Sequence, residues 1–364
     1  MVRPSWAEID LDAICDNVQV ISETVAPAAV CAVVKADAYG HGDVPVAEAA
    51  LEAGADLLAV ALVEEGVRLR EAGIDSKVLL LSEPPVADAA EIQRWGLTPT
   101  VYRREFAEAL AETASRPIPV HVKVDTGMHR VGATPEDAVD LAQRITKDSR
   151  LTLEGVWTHF PVADEDDPFT QIQIDRYEAV IAELADLGIG VPIRHAANTA
   201  GAIRFPDARF DMVRIGLGIY GINPAPGVVP EIGLRPVMRI VSAVSMVRRY
   251  PPGTRPSYGR RRSLDREATV ATVPIGYADG LPRSLFEAGE VLIGERRHRF
   301  AGNVTMDQIL VDVDDTSVQT GDEVVLIGRQ GSEEITATDW AEQIGTIPYE
   351  VVCQIGPRLP RRYL

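Results

Sequence analysis

Lys35 stands just after a short apolar run, residues 29–34, and polar and glycine residues follow it at once. A run of this length that is rich in β-branched residues predicts a buried strand. A lysine at its end has a buried stem and an amine that faces a cleft, where desolvation lowers the pKa of the amine. Such an amine can act as a base or form a Schiff base with a carbonyl compound. The alternative is an ordinary lysine whose amine reaches water.

Four further side chains stand at or near the ends of predicted strands. Lys123 and Arg130 flank an acidic turn, and an arginine is suited to bind the carboxylate of a small substrate. A surface cluster of ion pairs would give the same pattern. His159 follows another apolar run, where a histidine can be catalytic or purely structural. Arg214 ends an apolar segment and could instead form an ion pair with Asp211.

Tyr258 lies in the turn Pro-Ser-Tyr-Gly-Arg, residues 256–260. A tyrosine in such a turn is most often only a surface residue. Its phenol has an ordinary pKa of about 10. It can therefore serve as a base near neutral pH only where cationic groups stabilise the phenolate.

The elements that must position these residues alternate between short apolar runs and amphipathic, helix-like segments. Eight repeats of a strand followed by a helix predict an α/β fold, namely a (β/α)8 barrel of the TIM type. An open doubly wound sheet has the same alternation and is the alternative. A barrel would place active-site residues at the carboxyl ends of its strands. The apolar runs are residues 29–34, 57–62, 78–81, 97–101, 118–124, 153–158, 193–196 and 212–215, and the amphipathic segments include 63–72, 104–114, 135–145 and 170–187.

The loops after the seventh and eighth runs contain small residues, at 195–201 and 214–221. Their backbone N–H groups can approach an anion closely. In a barrel of this type, a phosphate site commonly follows strands seven and eight. The two loops together therefore indicate a phosphate site.

The pattern changes near residues 233–239, where helix signals fade and strand-like runs with Pro and Gly turns begin. We predict two domains, a (β/α)8 barrel over residues 8–236 and a mainly β C-terminal domain over residues 237–364. The N-terminal strand, residues 1–7, is expected to join the second domain. Its predicted strands are 238–247, 268–274, 291–293, 309–313 and 323–327, with one helix at 338–344.

Composition limits the class of partner. The 364 residues include 36 Lys and Arg against 54 Asp and Glu, a net charge of −18. This acidity argues against a nucleic-acid or anionic-membrane partner, and an anionic substrate would need local cations. Three scattered cysteines give neither a disulfide framework nor a metal site, so we expect a cytoplasmic enzyme without a metal. We also find no signal-peptide core and no apolar run of transmembrane length.

The string VVKADAYGHG, residues 33–42, resembles the attachment motif for pyridoxal 5'-phosphate (PLP) in the alanine racemase family. The resemblance runs in order from residue 6 to about residue 356. Many family members have Cys where this chain has Thr305. The other matching segments are KVDTGMHR at 123–130, PSYGR at 256–260, IGYADG at 275–280, NVTMDQ at 303–308 and IPYE at 347–350.

The resemblance implies a role for each matching residue. Lys35 and Tyr258 would be the two catalytic bases. Arg130, Met306 and Tyr277 would bind the substrate, and Lys123 matches a lysine that is often carbamylated and holds the arginine. The residues implied to bind the cofactor are Lys35, Tyr39, His159, Asn198, Thr199, Arg214, Gly216, Leu217 and Tyr349.

By the same resemblance, Arg214 faces the pyridine nitrogen of PLP. A carboxylate there would keep the nitrogen protonated and make the ring a strong electron sink. Arginine cannot accept a proton at ordinary pH. Rapid return of a proton to the substrate is then favoured, and with it racemisation rather than transamination.

The implied function is the interconversion of L- and D-alanine, which supplies D-alanine for peptidoglycan. The family also implies a homodimer with shared active sites, in which Tyr258, Tyr277 and Met306 come from the partner chain. Three alternatives stay open. One is a broader racemase that also acts on serine, which Thr305 allows. Another is a PLP-dependent amino-acid decarboxylase of related architecture, which Arg214 and the Ser-Tyr-Gly segment argue against. The last is a non-catalytic PLP-binding protein, which need not keep Tyr258 and Arg130.

Overall fold

The structure is a computed structural model that describes residues 3–314 and 316–364. Residues 1 and 2 of the predicted N-terminal strand lie outside the described residues. Contacts between Cα atoms divide the chain into two compact units. The barrel unit comprises Ala13–Ala38 and Asp43–Arg235. The β unit comprises the described residues of 1–12, Tyr39–Gly42 and Pro236–Leu364.

The chain opens with β1 (Ser5–Ile9), which belongs to the β unit. The barrel unit then contributes eight parallel strands to one sheet, each within two residues of the predicted runs. They are β2 (Ala29–Val33), β3 (Leu57–Val60), β4 (Val78–Leu80), β5 (Thr98–Val101), β6 (Ile118–Lys123), β7 (Leu151–Trp157), β8 (Ile193–His195) and β9 (Met212–Ile215).

The sheet closes on itself. The first and last of its strands in chain order, β2 and β9, pair in parallel over Ala29–Ala32 and Met212–Ile215. Between β8 and β9, the backbone N–H of Asp211 donates to Arg194 O at 3.0 Å and that of Arg214 donates to Ala197 O at 3.0 Å. The predicted barrel is therefore confirmed, and the alternative of an open doubly wound sheet is wrong.

Helices follow the barrel strands, and several begin with recognisable caps. The hydroxyl of Thr134 accepts from the N–H of Asp137 at 3.1 Å, just before Pro135 in the first helical position. The helices are α1 (Leu11–Val25), α2 (Lys35–Gly40), α3 (Asp43–Glu52), α4 (Val63–Glu71), α5 (Ala89–Arg94), α6 (Arg104–Thr113), α7 (Pro135–Lys147), α8 (Phe169–Asp186) and α9 (Thr199–Arg204).

The segment α2, which begins at Lys35, is a left-handed helical turn. Ala36, Asp37, Ala38 and Tyr39 have φ values of 53°, 54°, 50° and 51°. Each L-residue in this conformation costs about 1–2 kcal/mol. Hydrogen bonds within the barrel unit stabilise the turn, since the N–H of Ala36 donates to Glu65 Oε1 at 2.7 Å and that of Ala38 to Val34 O at 3.0 Å.

The β unit contains two sheets. A seven-stranded sheet has the order β14-β13-β16-β10-β1-β18, with β17 paired to β16, and a three-stranded sheet has the order β11-β12-β15. Its further strands are β10 (Met238–Ala243), β11 (Met246–Tyr250), β12 (Ala268–Val273), β13 (Glu290–Ile293), β14 (Arg296–Arg299), β15 (Ile309–Asp312), β16 (Glu323–Gln330), β17 (Glu333–Ile335) and β18 (Arg361–Tyr363), and its helices are α10 (Ala337–Ile344) and α11 (Pro348–Cys353).

The structure of this unit differs from the sequence expectations in several places, and β14, β17 and β18 were not predicted. The single predicted run 238–247 is two strands, β10 and β11, which belong to different sheets. The predicted helix at 338–344 is present as α10, and α11 follows it. Across residues 3–314 and 316–364, no helix has the length and apolar character needed to cross a bilayer.

Candidate active site

The candidate residues of the barrel unit lie at the carboxyl ends of its strands, as predicted. Lys35 comes two residues after β2, and Lys123 is the last residue of β6. His159 comes two residues after β7, and Arg214 lies within β9, near its end. Because these strands are parallel neighbours in one barrel, their carboxyl ends form one rim.

Lys123 is buried among other cations. Burial, and then the charges of Arg214, Arg130 and Lys35, lower the pKa of its amine to about 7. These interactions show that the four cationic side chains share one region of the rim. The alternative of a surface ion-pair cluster does not describe Lys123, which is 3% exposed. The nearby Asp125 instead pairs with His129 at 3.3 Å.

His159 lies within the same group of charges. Burial, and then the charges of Arg214, Lys123, Arg130 and Lys35, hold its pKa well below the usual value. The imidazole is therefore neutral at physiological pH. Its Nδ1 lies 3.2 Å from Nη2 of Arg214, and because a guanidinium can only donate, this nitrogen accepts.

Arg214 is a buried cation that is held by uncharged acceptors. Its Nη2 donates to the carbonyl oxygens of Thr158 and Ala196, both at 2.8 Å, and its Nη1 to Nδ1 of His195 at 2.9 Å. Burial lowers the pKa of the guanidinium to about 10, so it still carries its charge at neutral pH. The alternative pairing with Asp211 is wrong, because that carboxylate binds Arg194 through two hydrogen bonds of 2.7 and 2.9 Å.

Trp157 is a functional residue that the sequence analysis missed. Its ring lies beneath both cations, 4.1 Å from Nζ of Lys123 and 4.5 Å from Cζ of Arg214. It also stacks on His195, with ring centroids 5.5 Å apart. The available signal was its position two residues before His159, at the end of an apolar run, where an aromatic ring can face the barrel interior.

The loops after β8 and β9 are joined through Thr199. Its Oγ1 accepts from the N–H groups of Gly216 at 3.2 Å and Gly218 at 3.4 Å. Asn198 caps α9, where its Oδ1 accepts from the N–H of Gly201 at 2.9 Å. The structure thus brings together the two loops that the sequence predicts for a phosphate, including Leu217, which is buried at the start of the second.

Three candidate residues lie on loops of the β unit and are exposed. Tyr258 is 75% exposed, Tyr277 43% and Met306 52%. The loops of Tyr277 and Met306 are joined through their backbones, since Tyr277 N donates to Thr305 O at 3.0 Å and Ala278 N to Met306 O at 3.1 Å. This close approach requires Gly276, because a Cβ there would clash with the carbonyl oxygens of Thr305 and Met306.

Asn303 fixes the turn that carries Tyr258. Its Nδ2 donates to Tyr258 O at 2.7 Å, and its own carbonyl accepts from Ser257 Oγ at 2.7 Å. The turn needs such support, because Ser257 and Gly259 have φ values of 67° and 72°. The sequence analysis gave Asn303 no role, although it begins one of the matching segments.

Asp279 is a buried carboxylate that fixes the loop of Tyr277. Two nitrogens of Arg3 donate to it, at 2.8 and 2.9 Å, and so does the N–H of Gly276 at 2.9 Å. The sequence analysis missed this ion pair, since Arg3 and Asp279 are distant in the chain.

Tyr39 and Tyr349 meet within the β unit. Their ring centroids are 6.1 Å apart, with the ring planes at 80°. Burial, and then the neighbouring Tyr349, raise the pKa of the Tyr39 phenol. The structure thus brings together the two tyrosines predicted to bind the phosphate, and the phenol of Tyr39 is neutral.

Comparison with known proteins identifies the family. Residues 9–224 match the family described as alanine racemase, N-terminal domain, and residues 237–363 match alanine racemase, C-terminal domain. The chain belongs to the alanine racemase family. The predicted family and the isomerase class are confirmed.

Individual alanine racemases are similar along their whole length. The chain is 46% identical to the alanine racemase of Symbiobacterium thermophilum, covering 100% of this chain and 97% of that protein. It is 43% identical to that of Halothermothrix orenii, covering 100% and 97%. Among solved structures, the alanine racemase from E. faecalis has a TM-score of 0.95 at 37% identity, covering 100% of each chain.

Proposed function

We propose that the protein interconverts L-alanine and D-alanine with PLP as its cofactor. The observation that carries the proposal is the rim of the barrel, where Lys35, Lys123, Arg130, His159 and Arg214 share one region. Each of these residues matches a residue of the family that the resemblance assigns to the site. The protein would supply D-alanine for peptidoglycan in the cytoplasm.

The residues of the barrel unit fit PLP and an amino-acid substrate. Both carry anionic groups, and the chain has a net charge of −18, so an anion needs local positive charge. The rim supplies the guanidinium groups of Arg130 and Arg214 and the amine of Lys35. The loops joined by Thr199 have no space for a side chain at Gly218, whose Cβ would lie 2.9 Å from Thr199 Cγ2. Such a backbone can approach a phosphate closely.

When bound, PLP withdraws electrons from the substrate and so weakens its Cα–H bond. Lys35 would hold the cofactor, while His159 and Arg214 would contact its ring. Arg214 would leave the ring nitrogen unprotonated, because all its groups are donors. The remaining proposed cofactor contacts are Tyr39, Asn198, Thr199, Gly216, Leu217 and Tyr349.

Two bases would move the proton. The amine of Lys35 and the phenol of Tyr258 would face opposite sides of the substrate Cα. One removes the proton, and the other delivers a proton to the far side. Two bases are needed because a single base that returned its proton to the same side would restore the starting configuration. Arg130, Met306 and Tyr277 would bind and enclose the substrate.

A homodimer would complete each site. We propose that the domain of residues 8–236 binds the cofactor. The domain of residues 237–364, which strand 1–7 joins, would contribute Tyr258, Tyr277 and Met306 to the partner's site. The support is the exposure of Tyr258, Tyr277 and Met306 on the β unit. Large apolar side chains in such a group are typical of an interaction surface.

Lys123 is proposed to carry a carbamate. Its pKa of about 7 leaves much of the amine neutral at physiological pH. A neutral amine attacks carbon dioxide, forms an N–C bond and releases one proton to solvent. The resulting carboxylate would hold the guanidinium of Arg130 in place for the substrate.

The activity is tested by loading the purified protein with PLP and following L-alanine by circular dichroism. We expect a visible absorption band and a loss of ellipticity to zero, because the two enantiomers are equally stable. L-Serine, assayed beside it, tests the broader racemase that Thr305 allows. A PLP-loaded protein that leaves L-alanine unchanged would overturn the proposal.

A further inference from the structure

A continuous chain of hydrogen bonds leads away from Arg214 through the barrel unit. Nη1 of Arg214 lies 2.9 Å from Nδ1 of His195. Nε2 of His195 lies 2.8 Å from Nδ1 of His121, and Nε2 of His121 lies 3.3 Å from a carboxylate oxygen of Glu154. Both histidines are fully buried, whereas Glu154 lies at the outer end and also binds Lys77.

The two ends of the chain determine where the protons lie. A guanidinium only donates, so Nδ1 of His195 must accept and its proton must be on Nε2. That nitrogen then donates to Nδ1 of His121, whose proton is on Nε2 in turn. The carboxylate of Glu154 only accepts, which completes the sequence without conflict. Each histidine therefore has a single tautomer.

Charge agrees with this assignment. Burial, and then nearby charges, hold the pKa of His195 well below its usual value, and burial lowers that of His121. Both imidazoles are thus neutral. Burial alone would raise the pKa of Glu154, but hydrogen bonds from His121 and Lys77 outweigh it and lower the pKa to about 2. The chain runs from a cation to an anion through two neutral rings.

Residues of the barrel pack closely against this chain of hydrogen bonds. His121 of β6 is paired in register with Gly155 of β7, and a Cβ at Gly155 would clash with the His121 ring. Glu154 immediately precedes that glycine. On the other side, Trp157 stacks on His195 with the ring planes 10° apart. The small residue leaves room for the ring of His121, and the indole packs against the ring of His195.

We propose that Glu154 is a positioning residue for Arg214. Glu154 acts on Arg214 through the fixed tautomers of His121 and His195. Glu154 thus helps to hold the guanidinium of Arg214 in place although its carboxylate does not contact Arg214 directly. If a nearby carboxylate bound Arg214 directly, it would compete with the ligand for the same donors. The tautomers follow from the hydrogen bonds alone, whereas the effect on racemisation rests on the proposed function.

The test compares three variants. Glu154→Leu removes the acceptor, and Glu154→Gln keeps an acceptor oxygen but removes the charge. Lys77→Met is the matched control, because it removes the outer ion pair and leaves the chain intact. Histidine ¹⁵N NMR of the protein without added cofactor reports which ring nitrogen of each histidine carries the proton. Steady-state kinetics of the PLP-loaded protein give kcat and KM.

In the unaltered protein we expect His121 and His195 to carry their protons on Nε2. Glu154→Leu should lose this pattern at His121 and lower kcat about tenfold, with KM for alanine changed less than twofold. Glu154→Gln should restore the pattern and most of kcat, and Lys77→Met should change neither. A proton on Nδ1 of either histidine, or an unchanged pattern and kcat in Glu154→Leu, would overturn the proposal.

The NMR spectrum of the unaltered protein tests the assigned tautomers even if Glu154→Leu fails to fold. The NMR and kinetic measurements together also distinguish failure of the proposed function from failure of the proposed role of Glu154. If the loaded protein does not racemise alanine but the tautomers are as assigned, the proposed function fails and the hydrogen-bond chain stands. If alanine is racemised and the tautomers differ, the role of Glu154 fails alone.

Discussion

Lys123 lies over the indole ring of Trp157, with Nζ 4.1 Å from the ring centroid. The same ring lies 4.5 Å from Cζ of Arg214. Two cations thus lie close to one buried aromatic ring. Burial, and then the charge of Arg214, lower the pKa of Lys123 to about 7, and two predictions follow from that amine.

The amine of Lys123 should take up carbon dioxide. In ¹³C-labelled bicarbonate near neutral pH, we expect a carbamate signal in the ¹³C NMR spectrum, because the neutral amine is the reactive form. Lys123→Met should lose this signal. Lys77→Met should keep it, since Lys77 is a partly exposed lysine in an ion pair with Glu154. A signal that survives in Lys123→Met would show that another amine reacts.

Lys123 should also make stability depend on pH. Its pKa is about 7 in the folded protein, against an ordinary value of 10.5. Between these values the unfolded chain binds a proton that the folded protein does not, so the free energy of unfolding rises with pH across this window. Below pH 7 the full cost of burying the charge is present. Urea denaturation at pH 7 and pH 9 without carbon dioxide should show a smaller rise for Lys123→Met than for Lys77→Met.

The turn of Tyr258 should loosen when Asn303 is truncated. Asn303→Ala removes a 2.7 Å hydrogen bond to Tyr258 O, which should lower the free energy of unfolding by about 1 kcal/mol. The buried Oδ1 of Asn303 has no hydrogen-bond partner within the described residues, so its loss adds no cost. Because the turn positions a proposed base, kcat should also fall.

Denaturation in urea and steady-state kinetics check this prediction. Asn223→Ala is the control, since its side chain bonds to Val229 O in the barrel unit, outside the proposed site. An Asn303→Ala variant with unchanged kcat in both directions would show that the turn holds Tyr258 without Asn303.

The strands of the barrel were predictable because most of their residues are buried and apolar. The strands β14 and β18 were not, since Arg296–Arg299 and Arg361–Tyr363 are mostly charged. They are extended because they pair with β13 and β1. The left-handed turn after Lys35 opposes the local preference of L-residues, so no local pattern indicates it.

The candidate site could also be predicted only in part from the sequence. Motifs were sufficient to choose Lys35, Lys123, His159 and Arg214, but not to find His195 beside Arg214. Asp211 is three residues away along an extended segment, so the two side chains point to opposite faces. His195, which does bond to Arg214, comes from the neighbouring strand. A sequence without strand register could not supply that pairing.

Lys35 should be essential for holding the cofactor in its reactive form. After excess PLP is removed, Lys35→Ala should lack the visible absorption band of the lysine-bound cofactor and should not racemise alanine. Lys77→Ala, which lies outside the rim, should keep both. A band of equal intensity in Lys35→Ala would mean that another amine holds PLP.

The most direct test of the two-base reaction is the exchange of the Cα proton in Tyr258→Phe, measured separately from L-alanine and from D-alanine in deuterium oxide. We expect proton removal from one enantiomer to fall far more than from the other, because the amine of Lys35 still serves one face. Tyr250→Phe, a tyrosine packed against Leu264, Ala268, Val270 and Ala301, should exchange both enantiomers normally. Equal and mild losses from both enantiomers in Tyr258→Phe would contradict a reaction in which Lys35 and Tyr258 serve opposite faces.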